Sequence, residues 1–133
     1  MADNLFKVEI ITPDRIFYQG EASMIEFNTT EGEIGVLKDH IPLTTVIAPG
    51  IVTITEAEGT KRAAIHAGFA EILGDKVTLL AEIAEWPEEI DLERARKAED
   101  RAKERLNRKE AGLDITRAEI ALKKSLVRQD ILV

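Results

Sequence analysis

Ile83-Ala84-Glu85-Trp86-Pro87-Glu88-Glu89-Ile90-Asp91 is the stretch of sequence that decides the fold. Before it, short apolar runs alternate with turn residues, which is typical of β-strands. After it, helix-forming residues continue with little interruption. Pro87 and the acids beside it suit a helix N-terminus, where proline is tolerated and Asp91 can cap free backbone N–H groups. The sequence therefore predicts a strand domain over residues 1–86 and a helical domain over residues 87–133.

The first domain carries several short strand-like runs separated by turn signals. Gly20, Glu58-Gly59 and Gly74-Asp75 are predicted turns. Residues 31–43 are predicted as a glycine-punctuated loop, which lacks the Gly-Lys-Ser/Thr ending of a phosphate-binding P-loop. Short strands at regular spacing predict a β-sandwich or a flattened barrel. The predicted strands are Phe6–Ile11, Met24–Phe27, Ile51–Thr55, Ala63–Ala67, Phe69–Leu73 and Val77–Ile83.

The second domain is predicted to be an antiparallel two-helix hairpin, so the fold class is α+β. Gly112 ends the first helix, and Asp114 or Thr116 can cap the second. Because the facing stripes are mostly alanine, the helices can approach closely but bury little apolar area. Burial stabilises by about 25 cal/mol per Å² of apolar surface, so the stabilisation from this interface is small. We therefore expect a marginally stable hairpin that can open. The two stripes are Leu92, Ala95, Ala98, Ala102 and Leu106, and Ala118, Ala121, Leu122, Ser125 and Leu126.

Composition excludes several classes of function. The 133 residues include no cysteine, which excludes disulfides, thiolate chemistry and cysteine-ligated metals. The net charge of −7 divides into −8 through Trp86 and +1 beyond it, and only 5% of residues are aromatic. A nucleic-acid partner is therefore not expected. The start has no signal-peptide pattern, and no run of about 18 apolar residues predicts membrane insertion.

The sequence offers no convincing catalytic or metal site. His40 and His66 are the two histidines, and neither has neighbours that would make it a base or a ligand. Both are predicted to be structural or surface residues, and Trp86, the sole tryptophan, is predicted to pack where the hairpin leaves the sandwich. An independent enzyme is therefore not expected.

Basic residues recur along the predicted helices. Arg94, Arg101 and Arg108 are seven residues apart, which keeps them on one slowly drifting face. A folded hairpin can bring Arg94 and Arg101 towards Lys124 and Arg128, forming a basic cleft suited to a polyphosphate. Alternatively, these are solvated charges paired at helical spacing with Glu88, Glu104 or Glu119, each pair contributing about 0.3 to 0.5 kcal/mol.

Several motifs, taken together, resemble the epsilon subunit of the rotary (F-type) ATP synthase. The resemblance covers essentially the whole chain. It departs from the family at Ala67, where a second glycine is common, and at Lys38-Asp39, where Pro-Gly is usual. The motifs are Thr12-Pro13-Asp14, Gly32-Glu33-Ile34-Gly35-Val36-Leu37, His40-Ile41-Pro42-Leu43, Gly68-Phe69 and Val77-Thr78-Leu79-Leu80-Ala81.

This resemblance implies a non-catalytic subunit peripheral to the cytoplasmic face of the cell membrane, with a ten-stranded β-sandwich. The sandwich would bind the gamma subunit and the membrane rotor ring, with Glu33 and His40 in the loop that lies against the ring. The hairpin would extend along gamma towards the beta and alpha subunits and inhibit ATP hydrolysis. Lys123, Lys124 and Arg128 are the expected inhibitory contacts.

The resemblance also implies a nucleotide site of the bacterial ATP-binding type. The motif Ile90-Asp91-Leu92-Glu93-Arg94-Ala95 is complete, and Glu85, Arg101 and Arg128 match further positions. Lys124 stands where ATP-binding relatives have arginine, so it keeps the charge but loses the planar fork. ATP would be a regulatory ligand, with or without magnesium, and no cofactor is required. The alternative is a purely structural rotor-coupling subunit that does not sense nucleotide.

Overall fold

The computed structural model describes residues 4–108, 112 and 114–133, and has a β-sandwich followed by a two-helix hairpin. A 3₁₀ turn at Pro87–Glu89 joins the two parts. The helices are α1 (Leu92–Arg108) and α2 (Ile115–Ile131), which confirms the α+β fold predicted from the sequence. The strands are β1 (Phe6–Thr12), β2 (Arg15–Ala22), β3 (Met24–Thr29), β4 (Gly32–Val36), β5 (Leu43–Val46), β6 (Gly50–Glu56), β7 (Gly59–Ile72) and β8 (Lys76–Glu85).

The strands follow the order β2-β1-β8-β7-β6-β3-β4, with β5 also paired to β7. β1 and β8 are parallel, and the other neighbours are antiparallel. β7 pairs with β6 along its first half, with β5 along its second half, and with β8 along both. β8, which pairs with β7, is thus the last strand before the hairpin begins.

The bend in β7 lies at Ala67-Gly68, where both residues have positive φ, 60° and 125°. A Cβ on Gly68 would overlap the carbonyl oxygen of Leu80, so the close approach of β7 and β8 requires glycine there. Besides Ala67, Asp39 is the other non-glycine residue with positive φ in the described part of the chain, at 65°. Both sequence departures from the epsilon pattern, at Lys38-Asp39 and Ala67, thus involve a non-glycine residue held in the left-handed region.

The strand count differs from the ten that the resemblance implied, because the described residues form eight strands. The predicted strands at 63–67 and 69–73 are halves of β7, since its bend interrupts neither half's pairing with β8. β2 was missed, and Gly20 lies inside it opposite Val8 instead of forming a turn. The region 31–43 was wrongly predicted to be all loop: it contains β4, and β5 starts at its end. β4 gains its order from a hairpin with β3, from which only residues 30 and 31 separate it, and its glycines hide the strand pattern.

Two faces of β7 separate the sandwich core from the hairpin interface. Ala63 and Ile65 belong to the core between the sheets. Ala64, on the opposite face, forms a buried cluster with Val127 and Ile131 of α2. The hairpin therefore rests on the outer face of the sandwich through α2.

Trp86 packs where the chain leaves the sandwich, as the sequence predicts. Its ring stacks on Phe17 with centroids 4.3 Å apart and meets the Tyr18 ring edge-on at 6.3 Å. Trp86 is partly buried against the sandwich core. The start of the connection to the hairpin is thus fixed by aromatic contacts.

The hairpin is capped and packed mainly as its sequence indicates. The carboxylate of Asp91 accepts the N–H of Arg94 at 3.1 Å, and that of Asp114 accepts the N–H of Arg117 at 2.9 Å. Leu126 departs from the predicted stripe and is 39% exposed, because α2 turns its neighbour Val127 towards the sandwich. The predicted helix end at Gly112 adjoins residues outside the described ranges. Small buried residues on the helices are Ala95, Ala102, Ala118 and Ser125.

Candidate functional site

A cavity of about 330 Å³ lies where the sandwich, the 3₁₀ turn and both helices meet. β8 contributes its last residue, and the 3₁₀ turn contributes one acid. The first three turns of α1, with the acid that caps them, contribute five residues, and α2 contributes one arginine. Small alanine side chains leave the space open between the charged groups. The lining residues are Glu85, Glu89, Asp91, Arg94, Ala95, Ala98, Arg101 and Arg128.

Glu85 connects the sandwich to the hairpin at one edge of this cavity. Its Oε1 atom accepts the Nε–H of Arg128 at 2.7 Å, and it lies 3.2 Å from Nε2 of His66. His66 is fully buried, and its Nδ1 atom has no hydrogen-bond partner among the described residues. One carboxylate oxygen is therefore held by a strand residue and a helix residue together.

The charges in this cluster settle the protonation of His66. Burial lowers the pKa of His66; the hydrogen bond to Glu85 opposes this, and the positive charge of Arg128 adds to it. Burial raises the pKa of Glu85, but hydrogen bonds from His66 and Arg128 outweigh it and leave the pKa below its usual value. At neutral pH, His66 is therefore neutral and Glu85 is ionised. We assign the proton to Nε2, which donates to Glu85 and leaves Nδ1 as an unpartnered acceptor.

The other two acids of the cavity are also occupied. Both carboxylate oxygens of Glu89 lie 2.9 Å from Nη2 of Arg15, and its Oε1 accepts the backbone N–H of Trp86 at 2.8 Å. The hydrogen bond from Arg15 holds the pKa of Glu89 below its usual value. Asp91 caps α1 through the N–H of Arg94. Arg15 therefore neutralises Glu89, whereas Asp91 keeps its negative charge at the N-terminus of α1.

Arg94 and Arg101 project from α1 without ion-pair partners within the described part of the chain. Their heptad neighbour Arg108 instead pairs with Glu104 on its own helix, as the alternative interpretation predicted. Arg128 donates its Nε–H to Glu85, which leaves the terminal nitrogens of its guanidinium for another acceptor. The cavity thus gathers three guanidinium groups, whose forks match the oxygens of a phosphate chain.

The structure brings five of the seven predicted nucleotide-binding residues to the cavity: Glu85, Asp91, Arg94, Arg101 and Arg128. Ile90 instead packs against the apolar cluster under α2. Lys124 does not line the cavity, although its charge acts on His66.

Sequence reasoning did not assign Glu89, Ala98 or His66 to the site. Ala98 follows Arg94 by four residues and precedes Arg101 by three, so helical spacing was a signal for it. The role of Glu89 depends on Arg15, which is 74 positions away in the chain. His66 was predicted to be structural, and the structure adds its contact with Glu85.

The remaining predicted contact residues lie on the surface. Lys123 is exposed on α2, and Glu33 is exposed on β4. His40 is half-buried in the loop between β4 and β5, where its Nδ1 lies 2.6 Å from the carbonyl oxygen of Ile41. The helices described here include none long and apolar enough to cross a bilayer. The described residues also contain no group of three side chains able to hold a metal ion.

Family models match both parts of the chain. The model described as ATP synthase, Delta/Epsilon chain, beta-sandwich domain matches residues 5–87, and that of the long alpha-helix domain matches residues 88–131. The ATP synthase epsilon chain of Caldanaerobacter subterraneus is 48% identical over 130 residues, covering 97% of this chain and 94% of the relative. The chain belongs to the ATP synthase epsilon chain family. The resemblance seen in the sequence is therefore confirmed.

A second epsilon chain and two solved structures are also similar to this chain. The epsilon chain of Halalkalibacterium halodurans is 41% identical over 125 residues, covering 93% of this chain and 94% of the relative. A chain of the Euglena gracilis mitochondrial ATP synthase, solved as OSCP/F1/c-ring, has a TM-score of 0.85 at 27% identity, covering 96% of this chain and 81% of that one. A central stalk/c-ring chain from Tetrahymena thermophila shares the fold, with a TM-score of 0.63 at 13% identity and 96% of each chain covered. Epsilon chains are stalk subunits and not the catalytic subunits, so the prediction of a non-enzyme is confirmed by homology.

Proposed function

We propose that this epsilon chain senses ATP through the cavity between its sandwich and hairpin, and inhibits ATP hydrolysis when the hairpin leaves the sandwich. In the docked state ATP is a ligand and not a substrate. In the extended state the helices lie along the gamma subunit and obstruct rotation in the hydrolysis direction. Falling ATP thus restrains further hydrolysis.

The convergence of Arg94, Arg101 and Arg128 on one cavity is the observation that carries this proposal. Two of the three come from α1 and one comes from α2, so a bound polyphosphate would join the helices. Glu89 and Asp91 are held by other groups, the guanidinium of Arg15 and the N–H of Arg94, whereas Glu85 engages the Nε–H of Arg128. Charge-assisted contacts from guanidinium groups to phosphate are among the stronger polar interactions in proteins.

The hairpin's contacts with the sandwich support a reversible docking step. Val127 and Ile131 cover Ala64 in a small apolar cluster that is separate from the sandwich core. If ATP binds only the docked form, it adds about 2.7 kcal/mol at a hundredfold excess over Kd. That amount can decide the population of a weakly docked element.

Arg128 links the two states in one residue. When the hairpin is docked, its guanidinium is held by Glu85. We propose that on extension Arg128, with Lys123 and Lys124, contacts an acidic segment of the beta subunit, with alpha nearby. Because Arg128 cannot satisfy both partners at once, docking and inhibition exclude each other.

The sandwich supplies the proposed coupling surfaces. Val46, Phe69 and Leu80 stand opposite one another on three adjacent strands and are 42%, 57% and 51% exposed. This apolar row is our proposed contact with gamma, since exposed apolar patches mark interaction sites. Leu37 and Ile41, 58% and 79% exposed, flank His40. We propose that their loop and Glu33 meet the rotor ring at the cytoplasmic face of the membrane.

The exposed apolar row also fits a second candidate, a subunit that only couples gamma to the ring. Calorimetric titration of the full chain with ATP, with and without Mg²⁺, separates the candidates. We expect binding, and we expect Arg94→Gln or Arg101→Gln to weaken it at least about tenfold, because each removes a charged hydrogen-bond donor. No heat up to millimolar ATP would leave only the coupling function.

Arg96→Gln is the matched control for that titration. It removes the same charge from an exposed position on α1 that does not line the cavity. We expect its Kd for ATP to equal that of the natural chain within a factor of about two, since Arg96 lies on the face of α1 opposite Arg94 and its exposed charge is screened. An equal loss of affinity in all three variants would show that only overall helix charge matters.

A further inference from the structure

His66 lies beneath the docked hairpin, on the face of β7 that α2 covers. Alternation along the strand places His66 on the same side as Ala64, whose neighbours Val127 and Ile131 belong to α2. Ile65, between them, points into the sandwich core. With the hairpin in place His66 is 0% exposed. Withdrawal of α2 would therefore bring water to the imidazole.

The surroundings of His66 favour its neutral form only while the hairpin is docked. β8 contributes the carboxylate of Glu85, and α2 contributes the positive charges of Arg128 and Lys124. These are the charged groups that act on His66 among the described residues. A proton on Nδ1 would be a buried donor without an acceptor, since that atom has no partner here.

We propose that His66 is a positioning residue that makes docking of the hairpin depend on pH, so that protonation of its imidazole releases the hairpin from the sandwich. This rests on the two-state hairpin of the proposed function. In the neutral state the Nε2–H of His66 orients Glu85, and Glu85 holds Arg128 at the edge of the cavity. Release of Arg128 would also remove one of the three arginines from the proposed ATP site.

The direction of the pH effect follows from the two environments. Docking lowers the pKa of His66, because burial and two nearby cations disfavour its charged form. In the undocked state the hydrated imidazole should titrate near about 6.5. The docked state then binds fewer protons, so docking is strongest above about pH 6.5 and weakens as pH falls below it. Glu85, whose pKa is below its usual value, stays ionised over this range.

Hydrogen exchange of α2 amide protons in the full chain, without ATP, measures this directly. Between pH 7.5 and 5.5 we expect the opening equilibrium of α2 to rise up to about tenfold, because one pH unit lies below the undocked pKa. In His66→Gln, which keeps a donor towards Glu85 and cannot be charged, the opening equilibrium should be independent of pH. Equal pH dependence in both chains, or none in either, would overturn the role of His66.

A second measurement does not depend on the variant folding correctly. NMR titration of the natural chain follows the imidazole of His66 directly. We expect His66 to stay neutral well below the ordinary histidine pKa of about 6.5, because it is buried beneath α2. Titration of His66 at or above about pH 6.5 would contradict the inference.

The same exchange data separate this inference from the proposed function. If α2 exchanges only together with the strands of the sandwich, the hairpin does not undock separately and both proposals fail. If α2 opens independently but its opening does not vary with pH, only the inference about His66 fails.

Discussion

Arg128 of α2 donates its Nε–H to Oε1 of Glu85 at the end of β8, across a distance of 2.7 Å. The two side chains are 24% and 23% exposed, so the pair is partly shielded from water. Because Glu85 ends the last strand and Arg128 belongs to the last helix, this contact closes the hairpin onto the sandwich. The interaction energy of this pair therefore reports how firmly the hairpin is docked.

A double-mutant cycle on Glu85→Ala and Arg128→Ala should give a coupling energy of about 1.5 kcal/mol, because both groups are charged and hydrogen-bonded. The readout is urea unfolding of the helices followed by circular dichroism. The matched control is the cycle on Glu93 and Lys97, an exposed pair within α1. That pair should couple by no more than about 0.5 kcal/mol. Equal coupling in the two cycles would show that Glu85 and Arg128 do not fasten the hairpin.

Ala67→Gly should stabilise the chain by about 0.5 kcal/mol. Ala67 has a φ of 60°, and the left-handed region costs about 1–2 kcal/mol for a residue with a Cβ. Part of this gain is offset by the greater freedom of glycine in the unfolded chain. Thermal unfolding followed by the fluorescence of Trp86 measures the change.

Ala63→Gly provides the opposite case on the same strand. Ala63 is fully buried in the sandwich core and is not among the residues with positive φ. Its replacement should destabilise the chain by about 1 kcal/mol, through the lost methyl group and the freer backbone. A loss of stability in both variants would contradict the strain assigned to Ala67.

Ala102→Leu should force α1 and α2 apart. Ala102 is 2% exposed and belongs to the small-residue interface of the hairpin, so we expect an isobutyl group there to push against α2. Overpacking of this kind costs about 1–3 kcal/mol. We expect lower helical stability and weaker ATP binding, measured by urea unfolding and calorimetry. Asn107→Leu, at an exposed position of the same helix, should change stability by less than about 0.5 kcal/mol; similar losses in both variants would rule out the packing explanation.

A disulfide between Ala64→Cys and Val127→Cys should lock the hairpin in the docked state. The two residues share one buried cluster, and the chain has no cysteine of its own. In the assembled ATP synthase, the oxidised pair should hydrolyse ATP faster than the reduced pair at low ATP, because the helices can no longer extend. Each single-cysteine chain is the control. If oxidised and reduced complexes hydrolyse ATP at the same rate, the hairpin is not the inhibitor.

The fold followed from the sequence wherever local pattern and tertiary pairing agree. Alternation identified β1, β6 and β8, and Pro87 with Asp91 marked the passage into α1. Sequence periodicity did not predict β4 or β5, because glycine, proline and threonine interrupt the apolar alternation in this region. β4 is ordered by pairing with β3, and β5 by pairing with the second half of β7.

The candidate site was predictable in its charged residues and not in its connections. Arg94 and Arg101 follow from heptad spacing, because helix geometry places them on one face. The link from His66 through Glu85 to Arg128 joins β7, β8 and α2 over 62 positions of the chain. The hydrogen bond from Arg15 to Glu89 joins β2 to the turn after β8. Such contacts depend on how the elements are assembled, which spacing along the chain does not encode.

Hydrogen exchange of the α2 amide protons, with and without ATP, tests the central claim most directly. If ATP binds only the docked hairpin, α2 exchange should slow about 100-fold at a hundredfold excess of ATP over Kd, while the strand amides of the sandwich core keep their rates. The Arg94→Gln chain, at the same ATP concentration, should show little slowing. Equal α2 exchange rates in the natural chain with and without saturating ATP would contradict the account.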